Sequence, residues 1–276
     1  MGAFPRVASG DSGRAISNRR PSERIEKGSE MSKLDLSDKV AIITGSSSGI
    51  GEAIARAFAA KGGRVVVNSR SSISEGEALA DDLPGAIYVQ ADIAKEEDRE
   101  RLLATAKDRL GRIDHLVNNA GTTVVVPHED LFGVTETDFR RILDVNLIGT
   151  WDLSRRAVPH LREGHGSILN VTSIAGTRPV GSSIPYSVSK AALNQLTELM
   201  AKVVGPEVRV NALAPGLIET PWTADWDAQH ENVARTAPLQ RSGTPEDMAH
   251  AAIALLESPY VTGQVLVADG GLTLRI

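Results

Sequence analysis

Tyr186 and Lys190 stand four residues apart near the start of a long helical pattern that Pro185 opens. On an α-helix that spacing puts both side chains on one face, where the ammonium can lie close to the phenol. A free tyrosine has a pKa of about 10, and a neighbouring cation favours the phenolate and so lowers it. The phenol then becomes a usable proton donor and acceptor. Upstream, the apolar run Ile168 to Val171 ends in hydroxyl and glycine residues, reading T-S-I-A-G. Ser173, at the carboxyl end of that strand pattern, sits where open α/β sheets place their ligands and could hold a carbonyl oxygen beside the phenol. Taken alone, a Y-x-x-x-K pair reads more readily as a solvated pair, so the elements around it decide.

Those elements alternate. Residues 40–43 form a β-branched run followed at once by T-G-S-S-S-G-I-G and then by helical apolar spacing, E-A-I-A-R-A-F-A-A. In such a strand-to-helix turn Gly45 allows the tight turn, Gly49 lets the backbone approach a diphosphate, and Gly51 lets the helix pack close, while the helix amino end supplies free N–H donors. Strand patterns follow at 64–67, 86–90, 115–118, 168–171, 208–213 and 265–267, with helical patterns at 74–82, 96–110, 136–161, from 185 onward and at 244–256. Asn118 to Gly121, N-N-A-G, leaves space for a flat ligand above the fourth strand, although its asparagines are equally suited to tying strands together. Asn146 lies within the 136–161 helix, where a lone asparagine is ordinarily just a polar residue facing solvent. Residues 219–243, with Trp222 and Trp226, lack clear periodicity and are long for a connection, which marks a lid or binding loop. The alternation predicts an α/β fold: a single, doubly wound, parallel seven-stranded sheet with helices on both faces.

Composition narrows the function. At 276 residues and 41% hydrophobic content the chain suffices for one full core, so residues 33–276 read as one domain. Residues 1–32 are rich in Ser, Gly and Arg without apolar periodicity, which predicts a disordered tail. A formal charge of −5 with no basic block argues against nucleic acid as a partner. The absence of cysteine excludes disulfides and thiolate metal sites, and no metal is expected. No apolar run approaches the roughly 20 residues that span a bilayer, so an intracellular, cytoplasmic protein without a membrane partner is expected.

Together T-G-S-S-S-G-I-G, N-N-A-G, Asn146, Ser173, Y-S-V-S-K and A-P-G-L-I-E-T resemble the short-chain dehydrogenase/reductase family, in its order and spacing, from about Leu34 to the C-terminus. The resemblance implies a Rossmann-type NAD(P)-dependent oxidoreductase. By position it makes Tyr186 the general acid in reduction, or base in oxidation. Lys190 would lower the phenol's pKa and bond the nicotinamide ribose, Ser173 would orient the carbonyl, and Asn146 would hold a water in the proton relay. Gly45, Ser47, Gly49 and Ile50 would line the diphosphate and ribose, and Asp92 the adenine. Asn119 and Gly121 would flank the adenine-side ribose, while Ile218 and Thr220 would hold the carboxamide. The resemblance also implies a homotetramer, or a homodimer; Ala191, Ala192, Leu196, Leu199 and Met200 leave the Tyr186 helix more apolar than one core face needs.

The expected reaction is hydride transfer between the nicotinamide and a carbonyl or secondary alcohol of a small or medium organic molecule. Reduction of a 3-oxoacyl carrier protein is the alternative, ranked lower because Asp152 and Lys202 stand where carrier-binding relatives typically show arginine, and Asp152 would repel an acidic carrier. A non-catalytic NAD(P)-sensing module is the alternative of another class, but it would have no need of Tyr186 beside Lys190. At the end of the second strand Ser69 stands where an acid would select NAD(H), and Arg70 follows it. A serine can hydrogen-bond a 2′-phosphate and a guanidinium can grip it, so NADP(H) is favoured over NAD(H). The first turn lacks the family's other basic NADP mark, having Ser48 before Gly49.

Overall fold

The structure, a computed structural model, describes residues 34–275. The expectation of a disordered tail over residues 1–32 falls outside that range. In chain order come β1 (Val40–Ile43), α1 (Gly49–Ala60), β2 (Arg64–Ser69), α2 (Ile73–Asp82), β3 (Ile87–Gln90), α3 (Glu96–Leu110), β4 (His115–Asn118) and α4 (Glu136–Leu143). Then follow α5 (Thr150–Glu163), β5 (Ser167–Val171), α6 (Ile184–Val204), β6 (Arg209–Pro215), α7 (Asp227–Thr236), α8 (Pro245–Glu257) and β7 (Val265–Ala268).

The seven strands form one sheet in the order β3-β2-β1-β4-β5-β6-β7, and every pairing is parallel. The strands read as unbroken apolar runs because helices cover both faces: all four residues of β1 are buried. Alternate side chains serve opposite cores. Ala41, Ile43, Leu169 and Leu213 join Ile54 and Phe58 of α1 and Leu256 of α8. Val40, Ile42, Ile168 and Val210 join Leu102 of α3, Leu153 and Leu161 of α5, and Val204 of α6. Burying one such Leu or Ile side chain contributes about 1.5–3 kcal/mol. The strand order reverses between β1 and β4, and ligands of such sheets bind outside the carboxyl ends at that crevice.

Two segments depart from the sequence reading. The helix expected over 136–161 is interrupted: α4 and α5 are joined by a π-helical turn, Asp144–Gly149, which contains Asn146. Gly149 lies so close to the 92–94 loop that a Cβ there would collide with the Ile93 carbonyl. The stretch 219–243, expected without regular structure, holds a 3-10 turn, Pro221–Thr223, and then α7.

Asp152 also departs from expectation. It is 4% exposed, and its carboxylate takes hydrogen bonds from Arg99 Nε at 2.6 Å and Arg156 Nε at 2.8 Å, with Arg155 paired to it as well. An acid enclosed by three guanidinium groups presents no free negative charge, so it cannot repel an acidic carrier as expected. No helix among the described residues is long and apolar enough to cross a membrane.

Candidate active site

A cleft of about 960 Å³ runs along the carboxyl ends of the strands. Gly45 follows β1, Arg70 follows β2, Asp92 follows β3, Asn119 follows β4, Ser173 follows β5, and Gly216 follows β6; all of them line it. The structure brings every residue singled out for the cofactor or the chemistry to this cleft, except that Asn146 lies just behind its wall.

The glycine turn is held from three sides. Asn68 Oδ1 accepts from the Gly45 N–H at 3.3 Å, and Asn119 Nδ2 donates to the carbonyls of Thr44 (3.0 Å) and Gly45 (2.9 Å). Gly45 and Gly49 adopt φ of +62° and +59°, and a Cβ on Gly51 would lie 2.5 Å from Asn119 Nδ2. Asn119 therefore ties β4 to the turn, the structural role that the sequence left open. Ser48, the N-cap of α1, makes no side-chain cap, so the first amides of that helix are left to an anion, and Ser47, Gly49 and Ile50 line the cleft there. Thr220 Cγ2 would be 3.3 Å from a Cβ on Gly49, so the segment after β6 closes against the turn, with Ile218 anchored in the core. These features fit a dinucleotide.

At the β2 end Ser69 and Arg70 differ. The Ser69 hydroxyl is already committed, donating to Ser72 O at 2.9 Å and paired with Tyr88 OH at 2.8 Å, so it is not the free phosphate ligand that was expected. The exposed Arg70 guanidinium has no ion-pair or hydrogen-bond partner among the described residues. Asp92 accepts from Ala94 N–H at 3.0 Å and shapes the loop entering α3.

The reactive end rests on β5 and the first turns of α6. Ser173 caps a 3-10 turn, Ile174–Gly176, its Oγ accepting from Ala175 N–H at 3.1 Å. Lys190, buried, donates to the Val171 carbonyl at 2.8 Å and lies 5.6 Å from the centroid of the Tyr186 ring. Trp222 meets that ring edge-on, with centroids 6.3 Å apart. Burial pushes the Tyr186 phenol up to about 12, with the Ser173 hydroxyl pulling the other way. Burial likewise pushes the Lys190 ammonium down to about 8. The lowered tyrosine pKa expected from the four-residue spacing is thus not what this cleft produces, because the phenol is desolvated and the Lys190 ammonium is turned to a backbone carbonyl.

Asn146 is fully buried, and its amide clamps the Thr122 backbone: Oδ1 accepts from Thr122 N–H at 2.8 Å, and Nδ2 donates to Thr122 O and to Ser189 Oγ, both at 3.0 Å. Ser189 in turn donates to the Tyr186 carbonyl at 2.7 Å. π-turns recur at functional sites, and this one links the substrate-side loop to the helix that carries Tyr186. The sequence reading placed Trp222 in a lid or binding loop but passed over Ser189, which was open to discovery, since it lies three residues from Tyr186 on the same helical face. The arrangement can hold a carbonyl oxygen beside a protonated phenol.

Comparison with known proteins agrees with this geometry. The family model described as "Enoyl-(Acyl carrier protein) reductase" matches residues 45–273. A protein of Streptomyces violaceoruber, "Granaticin polyketide synthase putative ketoacyl reductase 2", is 54% identical over 84% of this chain and 95% of its own length. The L-fucose dehydrogenase of Oryctolagus cuniculus is 37% identical over 86% of this chain and 85% of its own. A solved structure from Burkholderia xenovorans, a "putative short-chain dehydrogenase/reductase", superposes with a TM-score of 0.79 at 39% identity, covering 86% of this chain and 98% of that one. With the fold, the cleft and these relatives in agreement, the chain belongs to the short-chain dehydrogenase/reductase family of NAD(P)-linked oxidoreductases.

Proposed function

We propose that the chain is an NADP(H)-dependent carbonyl reductase that interconverts a ketone and a secondary alcohol on a small or medium organic substrate. The observation that carries this reading is the convergence of Tyr186, Ser173 and Lys190 at one end of a cleft whose other end presents Arg70. The cofactor supplies the hydride, and the protein's task is positioning and proton delivery. Ser173 orients the carbonyl oxygen, Tyr186 gives it a proton, Lys190 offsets the negative charge left on the phenolate, and Asn146 fixes the loop facing them. Gly45, Ser47, Gly49 and Ile50 hold the diphosphate, Asp92 borders the adenine, Asn119 and Gly121 flank the adenine-side ribose, and Ile218 and Thr220 hold the carboxamide. A panel of carbonyls assayed with NADPH and NADH tests the reading; NADPH oxidation by none of them would sink it.

The cofactor preference rests on Arg70. A free guanidinium at the end of β2 can form paired charge-assisted bonds to a 2′-phosphate. Arg70→Ala is expected to weaken NADPH binding by about 1.5–3 kcal/mol and to leave NADH almost unchanged. Equal loss for both dinucleotides by titration calorimetry, or a wild-type preference for NADH, would return the assignment to NAD(H).

Reduction of carrier-bound 3-oxoacyl chains is the second reading, and burial of Asp152 removes the repulsion that ranked it lower. The Streptomyces relative's name points the same way. An acetoacetyl carrier protein turned over with higher kcat/KM than the free ketone would move this reading to first place.

A homotetramer or homodimer is part of the proposal. On α6, Leu199 is 54% exposed and Val203 74%, and on α5 Trp151 is 43% exposed. Single exposed apolar residues are ordinary; several large ones on the two helices are the feature that supports a subunit contact. Light scattering at micromolar protein should give a dimeric or tetrameric mass, and a monomeric mass would count against it.

A further inference from the structure

The two halves of the cleft differ in charge. Among its lining residues only Arg70, Asp92 and Lys190 are charged. Arg70 and Asp92 follow β2 and β3, and β2 lies three strand spacings from β5, roughly 14 Å. Around Tyr186 the walls are Val126, Ile174, Val180, Trp222, Trp226 and Val233. Both indoles come from the segment after β6, Trp222 in the 3-10 turn and Trp226 at the start of α7.

Several polar side chains of this half are already engaged, while Gln229 of α7, which also lines the cleft, has no side-chain hydrogen bond among the described residues. Thr122 Oγ1 accepts from Arg141 at 3.0 Å, and Ser182 Oγ is paired with Thr123 Oγ1 at 2.7 Å. Thr223 Oγ1 donates to the Ile218 carbonyl at 2.6 Å, and Asn232 Oδ1 accepts from Arg235 at 3.0 Å. A sugar would exchange its hydration for largely apolar walls with few free partners, and each hydroxyl left without one costs affinity. A carboxylate or phosphate on the substrate would meet no cation other than Lys190. A flat ring suffers neither penalty and gains contact with the aromatic side chains.

The geometry points to a neutral, largely apolar ring ketone as the substrate class, lying against Trp222 and Trp226 with its carbonyl oxygen at Ser173 and Tyr186. It rests on the carbonyl-reductase reading and deepens it. It separates this chain from its relative named for L-fucose, whose substrate is a polyol.

The test uses the full chain. NADPH-dependent reduction of 1-tetralone, a bicyclic aromatic ketone, is compared with that of ethyl acetoacetate, and NADP-dependent oxidation of L-fucose is measured beside them. The expected kcat/KM favours 1-tetralone over ethyl acetoacetate by about tenfold or more, the scale on which apolar pockets discriminate, and L-fucose gives no saturable turnover. Trp226→Ala is expected to lower the tetralone-to-acetoacetate ratio several-fold, with Trp226→Leu as the replacement if the alanine variant does not fold. Preference for ethyl acetoacetate or L-fucose, or a ratio unchanged in the variant, overturns the inference. If neither ketone is reduced, the reductase reading fails by itself, and equilibrium dialysis of 1-tetralone with NADP-loaded protein decides the pocket. Saturable binding weakened in the variant upholds the substrate class, and absence of binding overturns it.

Discussion

Tyr186→Phe is expected to lower kcat for carbonyl reduction by about 10²–10⁴-fold, the contribution of a positioned general acid, while NADPH binding stays near wild type. At 1.36 kcal/mol per decade that is about 2.7–5.4 kcal/mol of barrier. The substitution removes one oxygen and keeps the ring, so the edge-on contact with Trp222 survives and folding should be unaffected. With its pKa pushed up to about 12, the phenol carries its proton throughout the neutral range. What is demanding is to release that proton, and there the Lys190 ammonium and the Ser173 hydroxyl stabilise the phenolate as it forms. Lys190 itself, pushed down to about 8, loses its charge as pH rises through that value. The rate of reduction should therefore fall on the alkaline side of about 8. Turnover of Tyr186→Phe within a few-fold of wild type would remove the proton donor from the mechanism.

The alternation of strands and helices was legible because the inner strands are buried on both faces and so carry apolar runs, such as V-A-I-I of β1, rich in β-branched residues. The glycine turn and the Tyr186–Lys190 spacing were legible for a different reason: backbone geometry and helical period demand those residue types locally. What stayed hidden depends on partners far away in the chain. The π-turn at Asp144–Gly149 has no local signature, since D-V-N-L-I-G suits an ordinary helix, and the close approach of Gly149 to the Ile93 loop appears only once the chain is folded. Helix α7 buries only Val233, leaving no apolar stripe for periodicity to detect. Ser69 looked like a free ligand until Tyr88 of the neighbouring strand took its hydroxyl. The proton affinity of Tyr186 was misjudged because the spacing reveals the cation and conceals the burial.

Asp152→Ala is expected to destabilise the fold by about 3–5 kcal/mol, the cost of removing one partner of a buried ion pair and leaving the other charge behind. The charge left behind is Arg99, whose side chain is 8% exposed; its Nε would lose the 2.6 Å bond to Asp152 and keep only the bond from its terminal nitrogen to the Ile93 carbonyl at 2.7 Å. Arg155 and Arg156 reach more water and would adapt, so the loss centres on Arg99. The Asp152 carboxyl is pushed up by burial, but the bonds from Arg156 and Arg99 outweigh that and hold it below the ordinary carboxylate range. A carboxylate depressed in the folded state stabilises the fold above its unfolded pKa of about 3.9, and that stabilisation disappears as pH falls through the lower folded value. The gap between wild type and Asp152→Ala should thus be full at neutral pH and close on strong acidification. Replacing both partners, Asp152→Ala with Arg99→Met, should recover part of the loss, because no charge then remains buried. The consequence reaches the cleft, since Ile93 lines it beside Asp92 and its carbonyl lies between Arg99 and Gly149 at the end of the Asn146 turn. Urea denaturation of Asp152→Ala, Arg99→Met and the double variant at pH 7 measures the cycle; a loss under about 1 kcal/mol for Asp152→Ala, the scale of an exposed pair, would mean that this cluster is a surface network and not the brace between α3 and α5.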